Sequence, residues 1–272
     1  MELFNDLPEE REQAVEDFLT FIPIYESKRR FRSLNALLKR NKKLIRGKAC
    51  LEAGAGRGLF SRSMSELGAE KVIAVERSAA LFKVLQSELA NVPNAQLHAG
   101  DIKEFVPKEQ IDLLFHEFYG PLILDETILV LNSLKFEPEV ILPDGGRLWA
   151  MPISEQQVRD ADPYYDPSWK EALSGALISD LLNGIPFQPT WKVFDWKVGD
   201  GPDGHLSYEF QMPEGADFLA LCGEITHQEK HVLNMWWTHN WPVIYTPVEG
   251  SRFRLEFDFD GRFTDILFKW LD

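Results

Sequence analysis

Two glutamates, Glu117 and Glu126, stand nine positions apart in the run Leu113-Leu114-Phe115-His116-Glu117-Phe118-Tyr119-Gly120-Pro121-Leu122-Ile123-Leu124-Asp125-Glu126. The Gly120-Pro121 pair between them is turn chemistry that can bring both carboxylates toward one point. The same residues also allow Glu126 to cap a helix over Ile128–Leu134, which would leave Glu117 to act alone. A second constellation lies upstream. Leu51-Glu52-Ala53-Gly54-Ala55-Gly56-Arg57-Gly58 reads as a strand end running into a glycine-rich turn, and glycines let a backbone approach a ligand closely. The dinucleotide fingerprint wants its third glycine where this chain has Leu59, one residue after Gly58. Glu52 ends the first strand, where it can meet an ammonium group. Glu76 follows Gly54 by 22 residues and can accept both hydroxyls of a ribose. Asp101, after the third strand, can take an adenine amino proton while Ile102 packs on the ring. Acids at three successive strand ends favour S-adenosylmethionine over NAD as the ligand.

Such residues need a scaffold whose strands all end on one edge. Ala49–Ala53, Val72–Val75, Ala95–Ala99, Asp112–Phe115 and Gly146–Met151 read as strands alternating with helical segments, which implies a parallel sheet with helical crossovers. Ahead of them, residues 8–20 place Ala14, Val15, Phe18 and Leu19 at helical spacing. Residues 28–48 hold ten of the 29 basic residues around Phe31, Leu34, Leu37 and Leu38, so a second helix carries a basic face. Beyond Pro152 the texture changes. Residues 158–183 read as an excursion with a helix through Leu173, Ala176, Leu177 and Leu181. Trp191–Trp196 and Arg252–Phe259 then alternate with period two, the latter closed by Asp260-Gly261. The fold class expected is a Rossmann-like doubly wound parallel α/β sheet followed by an antiparallel β-barrel. Its parts are N-terminal helices (1–48), a nucleotide domain (49–151) and a β domain (152–272).

With these strand-end acids the sequence resembles class I methyltransferases. Its Glu117–Glu126 run is similar to the double-glutamate loop of the protein arginine methyltransferases, which has the same nine-residue spacing. The resemblance implies that both carboxylates hold a substrate guanidinium, a planar fork of donors that carboxylates match bidentately. Thr238-His239-Asn240-Trp241 is similar to the family's threonine-histidine-tryptophan loop, with Asn240 inserted. This implies that His239 stands near the guanidinium and Trp241 beside the acceptor. Arg30, 22 residues before Glu52, matches the helix arginine that grips the cofactor carboxylate. Tyr119 replaces the methionine the family often has there and implies a residue facing the substrate. Glu52 replaces the usual aspartate, and Ser27 stands where an aspartate commonly partners the histidine. Phe18, Phe21 and Tyr25 are the nearest aromatics to the family's N-terminal tyrosine pair. The excursion at 158–183 matches the family's dimerisation arm and implies a homodimer.

Composition sets the outer bounds. A net charge of −14 opposes binding of nucleic acid and favours a cationic peptide, protein or small-molecule partner. No apolar stretch is long enough to span a bilayer, and the start Met1-Glu2-Leu3-Phe4-Asn5-Asp6 lacks the basic and apolar regions of a signal peptide, so a cytoplasmic protein with no membrane partner is expected. Cys50 and Cys222 lack the spacing of a disulfide framework or zinc site, and no metal is expected. The alternative function is a methyltransferase of the same fold acting on a non-guanidine amine or hydroxyl, its carboxylates serving as general base.

Overall fold

A computed structural model describes residues 7–179, 185–200, 204–212, 214–238, 243–260 and 264–272, with the side chains of Glu10 and Thr20 left aside. The chain divides into two compact units, Met1–Glu117 with Leu134–Pro143, and Phe118–Ser133 with Asp144–Asp272.

In the first unit the amphipathic start forms α1 (Glu9–Glu26), which continues through Pro23 beyond the expected end. Its apolar stripe is only partly covered, leaving Phe18, Leu19 and Ile22 exposed. In α2 (Lys28–Arg40) the buried side is Leu34, Leu37 and Leu38, together with the cation Arg30. There follow β1 (Ala49–Ala53), α3 (Leu59–Glu66), β2 (Lys71–Glu76), α4 (Ala79–Glu88), β3 (Ala95–Ala99), β4 (Leu113–His116) and β5 (Val140–Leu142). The five strands form a parallel sheet in the order β3-β2-β1-β4-β5. The order reverses between β1 and β4, and in open sheets of this kind ligands bind at the carboxyl edge beside that switch.

One glycine shows how the turn after β1 is fitted. Gly58 begins α3 at φ +72°, and a Cβ there would meet Leu85 Cδ1 at 2.7 Å and Leu89 Cδ1 at 2.8 Å. Both leucines belong to the core where the region of α4 covers the sheet. Gly58→Ala therefore combines backbone strain with overpacking and is expected to lower unfolding free energy by about 1–3 kcal/mol. Denaturant titration reads this, and an unchanged midpoint would show that neither the strain nor the clash exists.

The second unit contains β6 (Gly145–Ile153), α5 (Glu155–Ala161), α6 (Ser168–Ala172), β7 (Ile178–Ser179), β8 (Trp191–Lys197), β9 (His205–Gln211), β10 (Phe218–His227), β11 (Lys230–Asn234), β12 (Ile244–Pro247), β13 (Arg252–Phe259) and β14 (Thr264–Trp270). All pair antiparallel, in one sheet ordered β7-β12-β10-β6-β8 with β11 beside β10, and another ordered β14-β13-β9. The two sheets share an aromatic core, where Phe194 of β8 stacks on Tyr208 of β9 at 4.7 Å and Trp191 meets Phe210 and Phe253.

Three expectations are corrected. Gly146–Met151 does not join the parallel sheet; it lies in β6, and β5 is the fifth parallel strand. Only Pro143 and Asp144 separate β5 from β6, and a parallel neighbour needs a crossover of about a dozen residues or more. The helix expected over 173–181 is absent from its described part. Gly175 takes φ +70° and Ile178–Ser179 pairs with β12 instead. The helix expected over Ile128–Leu134 is a 3₁₀ turn at Ile128–Asn132.

Candidate functional site

Strands β1, β2 and β4 bring Glu52, Glu76 and Glu117 to the carboxyl edge of the parallel sheet, with Glu52 and Glu117 on either side of the switch. Glu52 is 3% exposed. Its Oε2 accepts the Ser61 N–H at 2.6 Å and also the Ser61 hydroxyl, in the first turn of α3. Burial pushes the Glu52 carboxyl up to about 8, with the Ser61 donors opposing and the charge of Glu117 adding to the rise. A cation brought to it restores its ionised form.

Glu76 ties the glycine turn together. Its Oε2 accepts the Gly56 N–H at 2.8 Å and its Oε1 the Ser78 N–H at 2.6 Å. Each oxygen keeps a second lone pair, the capacity that paired hydroxyls need. Burial raises the Glu76 pKa against those donors. Asp101 accepts the Lys103 N–H at 3.0 Å, Arg77 lies 4.0 Å from it, and Ile102 is buried.

Gly54 and Gly56 take φ +66° and +52°. A Cβ on Gly56 would stand 2.0 Å from the Tyr25 hydroxyl. The Arg57 guanidinium sits 5.7 Å over the Tyr25 ring. Burial, then the charge of Glu76, raises the phenol pKa. Tyr25 is thus the aromatic that reaches the glycine turn. Sequence reasoning named it only as a neighbour, because it lies past the apolar repeat of α1 that ends near Thr20.

Arg30, expected on a cofactor carboxylate, donates from Nε to Glu117 Oε1. It is 3% exposed, while the Glu117 side chain keeps 19% of its surface, enough for a further donor to reach it. Burial raises the Glu117 pKa and Arg30 opposes that rise. His116, one residue earlier, is buried with Nε2 2.8 Å from the Pro143 carbonyl.

The remaining expected residues belong to the second unit. Tyr119 is fully buried and its hydroxyl donates to the Gly145 carbonyl at 2.9 Å, so this tyrosine is anchored into the β unit. Ile123 takes φ +74°, and its N–H donates to the Gly120 carbonyl at 2.8 Å. Asp125 Oδ1 accepts the Leu122 N–H at 2.9 Å and lies where a Cβ on Gly120 would be 2.1 Å away. Glu126 is exposed, and its carbonyl accepts the Thr264 hydroxyl at 2.7 Å. His239 and Trp241 lie outside the described residues; Thr238, just before them, is buried with its hydroxyl donating to the Met235 carbonyl.

Among the described residues no group of three or more His, Cys, Asp or Glu is placed to hold a metal ion, and no helix is long and apolar enough to cross a membrane.

No family model matches the chain. Among curated proteins it is similar to protein arginine N-methyltransferase 6 of Danio rerio, 29% identical over 125 residues, which are 43% of this chain and 35% of that one. It is likewise 30% identical over 128 residues to protein arginine N-methyltransferase 1 of Dictyostelium discoideum, 44% of this chain and 38% of that one. The matched segments thus span well under half the length of these curated relatives. Among solved structures, a crystal structure of PRMT6 superposes with a TM-score of 0.70 at 12% identity, covering 95% of this chain and 99% of that one. The Trypanosoma brucei PRMT1 enzyme-prozyme heterotetrameric complex with AdoHcy superposes with a TM-score of 0.66 at 16% identity, covering 94% of each. The chain is therefore protein arginine methyltransferase-like, in fold along nearly its whole length and in sequence over less than half of it.

Proposed function

We propose that the protein is an S-adenosylmethionine-dependent N-methyltransferase whose acceptor is a guanidinium, in a peptide, a protein or a small arginine derivative. The observation that carries this is the placement of three buried or half-buried carboxylates, Glu52, Glu76 and Glu117, at one edge of a parallel sheet beside a left-handed glycine turn. That set suits a ligand with one ammonium and two hydroxyls. Glu52 would take the ammonium, Glu76 the ribose hydroxyls, and Asp101 with Ile102 the adenine. Gly54, Gly56 and Gly58 keep the backbone close to it, and Arg30 has guanidinium donors beyond the Nε used on Glu117 for a carboxylate. The relative solved with AdoHcy supports the same choice of cofactor.

S-adenosylmethionine supplies an electrophilic methyl group. This chain's part is alignment and electrostatics. Glu117 and Glu126 bind the acceptor guanidinium, fix its plane and draw positive charge toward the nitrogens they hold, leaving the remaining nitrogen more nucleophilic. By the resemblance, His239 would orient the acceptor with Trp241 beside it, while Tyr119, fully buried with its hydroxyl on the Gly145 carbonyl, would act only by fixing the turn behind the site. The proposal extends to a cytoplasmic enzyme, closed as a barrel in its β unit, with cationic substrates rather than nucleic acid, and to a homodimer through 158–183 that sedimentation velocity tests.

The deciding experiment is transfer of labelled methyl groups to arginine peptides, free arginine, and unrelated amines and alcohols. Label confined to guanidines supports the proposal; label only in another acceptor overturns it. A linked result concerns pH. Glu52, raised to about 8 by burial, is mostly protonated at neutral pH and must lose that proton to pair with an ammonium. Cofactor affinity is therefore expected to rise by up to about tenfold per unit between pH 6 and 8, with proton release visible by calorimetry in buffers of different ionisation enthalpy. A flat profile would separate Glu52 from the ammonium.

A further inference from the structure

We infer that Asp125 is a positioning residue for Glu126: its carboxyl, seated on Gly120 and accepting the Leu122 N–H, fixes the turn from which Glu126 meets the acceptor. This rests on the proposed role of Glu126, and deepens it.

The turn between the two glutamates is held in a conformation that a free chain avoids. Ile123 is β-branched and takes φ +74°, a region such residues rarely enter unless their surroundings over-determine it. Three glycines provide the surroundings. A Cβ on Gly146 would stand 2.9 Å from Ile123 Cγ2, and one on Gly223 would stand 2.6 Å from Ile123 Cδ1. Gly120 is the third, and what fills its missing side chain is the Asp125 carboxyl, with Oδ1, Cγ and Oδ2 at 2.1, 2.4 and 2.8 Å from the Cβ position. Two hydrogen bonds then close the turn, Ile123 N–H to the Gly120 carbonyl and Leu122 N–H to Asp125 Oδ1. The next residue is Glu126, exposed and held on its other side through its carbonyl by Thr264. Removing the Asp125 carboxyl leaves the Leu122 N–H without its acceptor and opens space over Gly120. The strained Ile123 can then relax, and Glu126 moves with it.

The lock is sensitive to charge. The Asp125 side chain is half-buried over Gly120, and burial pushes its carboxyl up to about 7 against the backbone N–H groups of Asp125 and Leu122. Among the described residues no charged side chain from a packed element counters this. The titratable group facing it is Cys222 of β10, whose thiol burial keeps protonated. Below about pH 7 the carboxyl is neutral and compatible with its half-buried seat on Gly120. Above it, a half-buried anion stands one residue from the Glu126 carboxylate and disfavours the closed turn.

The test compares wild type, Asp125→Asn, Asp125→Ala and Glu126→Gln in the full chain. It reads kcat and KM for whichever acceptor of the panel the wild type methylates, from pH 6 to 9. Leu122 amide exchange and cofactor Kd are measured alongside. Asp125→Ala is expected to lower acceptor kcat/KM at least tenfold and to speed Leu122 exchange at least tenfold, with cofactor Kd unchanged within twofold. Asp125→Asn, neutral and of the same shape, is expected to stay within threefold of wild type at pH 6 and to lose the fall in kcat/KM that wild type shows above pH 7. Wild-type kcat/KM in Asp125→Ala overturns the inference, as does an unaltered alkaline limb in Asp125→Asn. If Asp125→Ala does not fold, the Asn profile alone decides. Parallel losses in Asp125→Ala and Glu126→Gln on a non-guanidine acceptor would reject the guanidinium while upholding the positioning role. Loss in Asp125→Ala with a silent Glu126→Gln would reject the positioning role.

Discussion

Glu117→Gln is expected to lower kcat/KM for methyl transfer to a guanidinium by about 10²–10³-fold, the scale seen when one preorganised electrostatic partner is removed from an active site. Glutamine keeps the shape and one acceptor oxygen but loses the charge that draws positive density to the held nitrogens, and its amide presents donors to a group that is all donors. The Arg30 Nε contact with Oε1 keeps an acceptor of the same shape in the variant, although the buried Arg30 cation loses its counter-charge, so stability is expected to fall as well and activity is compared on folded protein. Cofactor Kd is expected to change far less than kcat/KM. Labelled methyl transfer and calorimetry on the same preparation check both, and a variant that retains wild-type kcat/KM removes Glu117 from the reaction.

The second large effect is on stability. Arg30→Met is expected to lower unfolding free energy by about 3–5 kcal/mol, the range for deleting one partner of a buried ion pair. Arg30 is 3% exposed and is the cation paired with Glu117 where Glu52 also interacts with Glu117. Without it, burial acts unopposed on Glu117, whose pKa, already raised, climbs further. A folded-state pKa above the unfolded value means that the folded state binds the extra proton, so stability falls as pH rises between the two values. The loss in Arg30→Met should accordingly be larger at pH 9 than at pH 5. Denaturant titrations at the two pH values measure this, and equal losses would mean that Glu117 does not feel Arg30.

Much of the first unit could be read from residues alone because its signals are local. Ala49–Ala53, a buried run, and Ala95–Ala99, a half-exposed edge strand, emerge with the expected ends, since short runs bounded by glycine or polar turns leave little room for another assignment. The strand-end acids were legible for the same reason. Arg30 was legible as a residue but not in its contact: the helical pattern gives the face of α2, whereas the pairing with Glu117 joins residues 87 positions apart. Tyr25 and Asp125 left no pattern at all, because each is defined by a glycine it fills, at Gly56 and Gly120. The failures beyond Pro152 have another cause. Leu173 to Leu181 has helical spacing, but the edge of β12 offers Ile178–Ser179 a partner, and pairing across the sheet overrides local preference.

The interleaving of the two units bears on how the chain is made. Phe118–Ser133 is synthesised between two segments of the first unit yet belongs to the second, and Leu122, Ile123, Leu124 and Ile128–Leu131 are all buried there. Gly223, one of the sockets for Ile123, leaves the ribosome a hundred residues later, which at about 5–20 residues per second is a delay of about 5–20 s. For that interval the nascent chain carries an apolar strip whose sockets have not yet been made. A pause site or a trigger-factor-like chaperone acting between residues 133 and 223 would therefore affect the yield of folded protein more than one acting later.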